Sequence, residues 1–435
     1  MRHNRPQFFG ALLLALVLVA CTMQSYSEPD VSEATLKKQV QGTNAFAFDL
    51  YQVLRNEHEN LFYSPYSISL ALATTYAGAH GETEEQMADT LHFVLPQDRL
   101  HSAFSALNRA LVQGAEEKAA EGVGAEPTPV PFPGHHPGDR FQLHIANALW
   151  GQDAYQFQPE FLAVLGQNYE SELRTLDFTG APEESRRTIN DWVADHTEDR
   201  IQDILPLGAI SGLTRLVLAN AIYFRASWFY PFDPRATREQ PFHLLDGGTA
   251  TVSMMQQTER FNYYLGEGYQ AVMLPYSGGK ESPHCRMSMV FLVPDDGCFQ
   301  AFEDSLDARG VGTILNEMNT GYVDLTIPKF GFDSAFALKP TLSSMGMSLA
   351  FSWPGADFSG MTGQPELFVD EVYHRAFVFV EETGTEAAAA SAVPITLGIP
   401  PEPVEITIDR PFIFLIRDGE TGIILFVGRV LDPSP

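Results

Sequence analysis

The chain has 435 residues, with 55 acidic against 27 basic side chains and a formal charge of −28 at pH 7. That balance repels phosphate backbones and sulfated polysaccharides, so neither a nucleic acid nor a heparin-like polyanion is expected as a partner. Three cysteines and no linker-like break in the apolar pattern leave one large mixed α+β domain as the expected architecture.

Arg2 and Arg5 precede the apolar run Phe8–Ala20, which is too short for a comfortable membrane span and has the flanks of an export signal. The run ends Leu18-Val19-Ala20-Cys21, which resembles the lipobox of bacterial lipoproteins; an ordinary secretory signal with a chance cysteine is the alternative. The expectation is a signal peptide over 1–20, a lipid anchor on Cys21, a polar tether over 21–41 and a domain over 42–435. The protein is then exported and membrane-anchored on the extracytoplasmic side, or secreted, and is expected to be monomeric. The other cysteines are Cys285 and Cys298. Met287–Val293 between them reads as a strand about 23 Å long at about 3.3 Å per residue. Pro294–Gly297 would have to retrace most of it to bring the Cα atoms within bridging range, so two free thiols are expected.

Val40–Arg55 has helical apolar spacing. In Asn60–Ala79, NLFYSPYSISLALATTYAGA, Ser64 is placed as an N-cap, Pro65 at the first helical position and Gly78 as a stop. This helix is apolar all round and should lie at the centre of the domain, so the hydroxyls of Ser64 and Ser67 need partners there. Thr83-Glu84-Glu85-Gln86 has a capping-box pattern. Leu100–Glu121 carries only Arg109 and Lys118 among its acids, so it has no basic stripe. Glu121–Asp139, rich in Pro and Gly, reads as a surface insertion, and His135-His136 within it lacks the ligand spacing of a metal site.

Strands are expected at Phe141–Trp150, from Leu213 through LTRLVLANAIYF, and at Gln270–Tyr276, Met287–Val293 and Tyr322–Lys329. Helices are expected at Pro159–Tyr169 and Ser185–Arg200. Asn220, within an apolar strand, must be paired. The chain closes with an antiparallel hairpin of Pro411–Arg417 and Ile423–Val430 around Asp418-Gly419. The sequence contains no HExxH, paired CxxC, GxxxxGK[ST], GxGxxG or GxSxG element, and an enzyme is not expected; no cofactor or metal is called for.

One stretch organises the rest. Ala376–Val380 alternates as a strand, and after Glu381 and Glu382 comes Thr383-Gly384-Thr385-Glu386-Ala387-Ala388-Ala389-Ala390, nearly all very small side chains. Such composition ordinarily marks a linker or short helix, yet the residues after Pro401 read as strands of an existing sheet. Small residues at alternate positions suit a segment that slides between two packed strands, with Thr385, Ala387, Ala389 and Ser391 facing inward, Glu386 outward and Gly384 as the hinge.

These residues resemble the hinge of the serpin family. Further matches are Asn60–Ala79, the Asn220–Phe232 signature with Tyr223, Phe224 and Trp228, and Leu338–Met361; the resemblance covers about Gly42–Asp432. It implies the serpin fold, with helices around three β-sheets and an exposed reactive-centre loop over 384–403. It implies a polar shutter of Ser64, Ser67, Asn220 and His374 beneath the sheet opening, with Trp228 plugging the top. A lone histidine opening a buried strand is ordinarily structural, and both roles are compatible. The activity implied is covalent suicide-substrate inhibition of a serine protease. The scissile bond falls at Gly398–Ile399 by the commonest loop length, or at Leu397–Gly398 when the downstream Ile399-Pro400-Pro401 is aligned. Leucine is the better bait and points to chymotrypsin-, elastase- or subtilisin-like targets. Pro394 departs from a strand-like arm, since it cannot donate a ladder bond. A non-inhibitory serpin acting as a carrier is the alternative.

Overall fold

The computed structural model describes residues 31–55, 59–120, 142–169, 173–277, 286–385 and 402–434. The lipobox with Cys21, the insertion with His135-His136, Cys285, and residues 386–401 with the predicted scissile bond lie outside them.

The domain begins earlier than expected. Helix α1 spans Glu33–Leu54, capped by Ser32, whose side chain accepts from Thr35 N–H. Thr35, Gln39 and Val40 are already buried, so the second half of the predicted tether belongs to the fold. Strand β1 (Leu61–Tyr63) leads into α2 (Pro65–Tyr76), in which every residue is buried. Ser64 caps α2 as expected. Gly78 has a different use: an added Cβ would lie 2.2 Å from Met361 Cγ, so its role is close packing rather than a left-handed stop. Helix α3 (Gly81–Thr90) starts at His80 without a side-chain cap. The capping-box Thr83 instead lies inside it and accepts the Asp357 N–H at 2.9 Å.

Helix α4 (Gln97–Ala120) is followed by β2 (Gln142–Gln152), α5 (Pro159–Asn168), β3 (Arg174–Leu176) and α6 (Pro182–His196). Then come β4 (Leu216–Ser227), β5 (Arg238–His243), β6 (Thr249–Leu265), β7 (Tyr269–Pro275) and β8 (Met287–Pro294). Cys298, unpaired, precedes α7 (Phe299–Ser305). Helix α8 (Ala308–Asn316), β9 (Asn319–Pro328), β10 (Phe330–Ala337), α9 (Lys339–Ser344) and α10 (Ser359–Thr362) lead to β11 (Val369–Glu381). The last strands are β12 (Gly384–Thr385), β13 (Val404–Thr407), β14 (Phe412–Asp418) and β15 (Ile424–Val430).

These strands form two hydrogen-bonded sheets rather than three separate ones. One, of nine strands, runs β1-β15-β14-β8-β7-β6-β9-β13 with β5 on β6; the other, of six, runs β10-β11-β12-β4-β2-β3. The cause is β6, 17 residues long, which pairs with β5 at one end and β7 at the other and fuses two expected sheets. A large core built on α1, α2, α4 and the nine-stranded sheet packs against one face of the six-stranded sheet. A smaller core lies on the opposite face, beneath α6.

Candidate functional site

Strands β11 and β4 meet in the middle of the six-stranded sheet. From Val369 to Phe377 they pair directly and in parallel, His374 level with Asn220. Higher up they part. The chain turns at Glu382–Thr383 and returns as β12, antiparallel to both: Thr385 pairs with Val380 on one side and with Ala226 on the other. Only glycine fits position 384, where φ is +156° and an added Cβ would sit 2.2 Å from Ala226 O and 2.7 Å from Ser227 Cα.

The parted end is held by specific contacts. Thr385 is buried, its hydroxyl 2.7 Å from Tyr276 Oη. Burial raises the Tyr276 phenol well above its ordinary pKa, so it stays a neutral partner. Trp228 stacks on Tyr276 with centroids 4.6 Å apart, and its indole N–H donates to Glu381 O at 2.9 Å. Its backbone N–H donates to Thr383 O. The Glu382 carboxylate accepts from Lys329 Nζ at 2.8 Å and Thr237 Oγ1 at 2.7 Å. Burial opposes the charge on Glu382, but these donors prevail and hold its pKa below the usual value.

The closed end is held by a buried polar cluster. Ser64 Oγ accepts the Ser67 N–H at 3.1 Å as the helix cap and donates to Leu425 O at 2.6 Å, tying α2 to β15. Ser64 N–H donates to His374 Nε2 at 3.1 Å. A backbone N–H can only donate, so Nε2 carries no proton and Nδ1–H donates to Asn220 Oδ1. Asn220 Nδ2 donates to Ser67 O at 2.9 Å, to Ser67 Oγ at 2.7 Å and to Asn147 Oδ1. Burial pushes His374 down to about 3, so it is neutral at physiological pH.

The structure thus gathers Ser64, Ser67, Asn220 and His374 into one cluster, and Trp228, Glu382, Gly384 and Thr385 at the other end of the same seam. Four members went unread in the sequence: Asn147, Tyr276, Lys329 and Thr237. Asn147 was accessible to the argument applied to Asn220, being an amide in the apolar strand QLHIANALW. Tyr276 and Lys329 each follow the last residue of a strand and, like Thr237, carry no local mark. Glu386, Ala387, Ala388, Ala389, Ala390, Leu397, Gly398 and Ile399 lie outside the described residues. Among the described residues no group of His, Cys, Asp and Glu is arranged to hold a metal ion.

A six-stranded sheet with a two-residue strand wedged into one end of its central pairing, above a buried polar cluster, defines a class. The family model described as serpin (serine protease inhibitor) matches residues 41–433, and the chain belongs to that family. A serpin-like protein of Thermococcus kodakarensis is 39% identical over 93% of this chain and 88% of its own length. The leukocyte elastase inhibitor of Homo sapiens is 34% identical over 89% of this chain and 97% of its own. Among solved structures, human thyroxine-binding globulin matches with a TM-score of 0.77 at 29% identity, covering 92% of this chain and all of that one. Uncleaved ovalbumin matches with a TM-score of 0.76 at 25% identity, covering 91% and 100%.

Proposed function

We propose that the protein is an irreversible suicide-substrate inhibitor of chymotrypsin-, elastase- or subtilisin-like serine proteases. The observation that carries this reading is the seated hinge: β12 already occupies the place between β11 and β4 where a longer strand would grow. The similarity to leukocyte elastase inhibitors supports the same reading.

The protease serine attacks the carbonyl carbon of Leu397, the Leu397–Gly398 amide bond breaks, and Gly398 leaves as a free amine carrying the proton from the protease's base. The acyl ester stays on the arm that begins at Gly384. Fourteen residues, Gly384–Leu397, span about 46 Å when extended. Insertion drags the ester-linked protease a comparable distance and distorts it before water can reach the ester.

Register supports the fit. Continuing the antiparallel pairing of Thr385 with Val380 and with Ala226 carries Ser391 level with both His374 and Asn220. Those two already face each other across the closed seam, so the three registers agree. On insertion the Ser391 hydroxyl would stand between His374 Nδ1–H and Asn220 Oδ1, re-pairing what separation breaks.

The proposal extends to location: cleavage before Cys21 and lipidation of its thiol would place the inhibitor outside the cytoplasm, on a membrane. The target protease is its only proposed macromolecular partner.

Incubation with chymotrypsin tests the activity. An SDS-resistant covalent adduct, with the amine terminus at Gly398, is expected; complete cleavage leaving active protease would turn the reading toward a carrier. Thr385→Arg should convert the inhibitor into a substrate.

A further inference from the structure

Eight large apolar side chains are exposed among the described residues, and four of them gather at the end of the domain opposite the hinge. Trp353 is 60% exposed, Val94 63%, Leu213 74% and Leu207 81%. Strands β11 and β4 start level at this end, Val369 opposite Leu216. Trp353 packs there against Phe368, with ring centroids 6.2 Å apart. The Asp370 carboxylate accepts from Thr214 Oγ1 at 3.1 Å, which brings Leu213 to the same foot. Leu207 belongs to the same compact turn, in which Ala209 N–H donates to Pro206 O and Ser211 N–H to Thr214 Oγ1. Past Trp353, Asp357 O accepts the His80 N–H at 2.9 Å, and Ala79 O accepts from Gln97 Nε2 at 3.2 Å. The connection of residues 91–96, with Val94, therefore borders this end as well.

The described chain also enters here. Arg99 Nη2, two residues from Gln97, donates to Thr35 Oγ1 at 2.7 Å in the first turn of α1. Cys21 precedes Val31 by ten residues, which reach at most about 35 Å. An anchor on Cys21 thus holds a bilayer near this foot, whereas the hinge stands about 40 Å away along the 13 residues of β11. Lys37 and Lys38 flank the entry, but Glu33 and Asp98 offset them, so an attachment here is apolar rather than electrostatic. Single exposed leucines need no explanation. A tryptophan with three aliphatic side chains, within reach of an anchor, matches the headgroup boundary, where an indole's apolar body and polar N–H are both accommodated.

We propose that this foot is a membrane-seating face. With Cys21 acylated, Trp353, Leu213, Leu207 and Val94 enter the interfacial layer of the bilayer and hold the hinge end toward solvent. The inference rests on the lipid-anchor reading and names the surface that reading turns to the membrane.

Trp353 supplies the probe. Of the four tryptophans, Trp150 and Trp228 are buried and Trp192 is half-buried against Trp150. The full chain, extracted from bacterial membranes, is reconstituted into phosphatidylcholine vesicles whose acyl chains carry bromine, a short-range quencher of indole fluorescence. Mass spectrometry of the peptide containing Cys21 reports the anchor separately. The wild type should be quenched, and Trp353→Phe should lose that quenching. High salt should leave it unchanged. Leu207→Ser combined with Leu213→Ser, both exposed and so tolerated by the fold, should shift seating about tenfold or more toward the unquenched state.

An acylated wild type that is unquenched, or quenched equally in Trp353→Phe, overturns the seating face and leaves the anchor reading standing. So does quenching that the paired leucine substitutions leave unchanged. An unacylated chain quenched through Trp353 keeps the face and removes the anchor reading. An unacylated chain without quenching removes both.

Discussion

The two ends of one seam solve opposite problems. At the upper end β11 and β4 are already apart, and between them lies backbone of minimal bulk: Gly384, which tolerates no Cβ, and Thr385, whose hydroxyl meets Tyr276. At the lower end the strands pair directly, and side chains across them are locked by His374, Asn220, Asn147 and the cap of α2. On the proposed insertion mechanism, the upper end is a docked start and the lower end a closed gate made of polar groups with discrete partners. An apolar seam would close just as well, but nothing in it could re-pair with an incoming hydroxyl. On the proposed mechanism, a polar one would have a second arrangement to adopt.

If that contrast is right, the largest effect belongs to the docked start. Gly384→Val puts atoms where Ala226 O and Ser227 Cα already lie, so the hinge cannot seat. Cleavage without trapping is expected, read as active chymotrypsin recovered after every loop has been cut. Full trapping by this variant would show the seated hinge to be incidental.

The closed gate comes next. Asn220→Leu leaves His374 Nδ1–H buried without a partner and strips one bond each from Ser67 O, Ser67 Oγ and Asn147 Oδ1, at about 3 kcal/mol. Urea unfolding should show the midpoint falling at unchanged slope, and Asn147→Leu, which strips fewer bonds, should cost less. Equal costs for the two would mean that Asn220 is not the hub.

Acid acts on the same gate through one proton. His374 titrates near 3 in the fold because it is buried, against about 6.5 in the unfolded chain. The unfolded state therefore binds the extra proton over that window. The contribution to stability is complete above about pH 6.5 and declines as pH falls toward 3, losing about 2 kcal/mol by pH 5. His101, also lowered to about 4 by burial, adds a parallel slope, so His374→Gln should remove only its own share. A pH–stability curve unchanged in His374→Gln would break the assignment.

The smallest effect is at the rim of the upper end. Lys329→Met frees the Glu382 carboxylate but leaves Thr237 and the Phe232 N–H contact to Glu382 O in place. The ammonium is about one-third exposed, so a loss of about 1 kcal/mol or less is expected from thermal melts. A larger loss would make this ion pair a principal fastener of the hinge.

How much could be read in advance depended on the kind of constraint. Ser64-Pro65 is a local signal, and α2 begins where it says. Asn220 was legible because an amide in an apolar strand must have a partner, and the alternation of Ala376, Val378 and Val380 is that of a strand with one face in the core. Thr83 misled because the same residue pattern serves a cap or a long-range acceptor, and the contact with Asp357 took it. Tyr276 could not be singled out, since a tyrosine just past a strand has many uses and only its neighbours choose among them.

The sequence by itself determined the elements, the buried polar residues that needed partners and the small-residue arm after Glu382, because propensity, desolvation and side-chain volume act through each residue and its near neighbours. Tertiary structure alone decided that Gly384 and Thr385 sit between β11 and β4, that Asn147 joins the buried polar cluster and that Arg375 donates to Gln202 O. Those outcomes depend on pairings between residues far apart in the chain, and nothing local to either partner records which distant backbone it will meet.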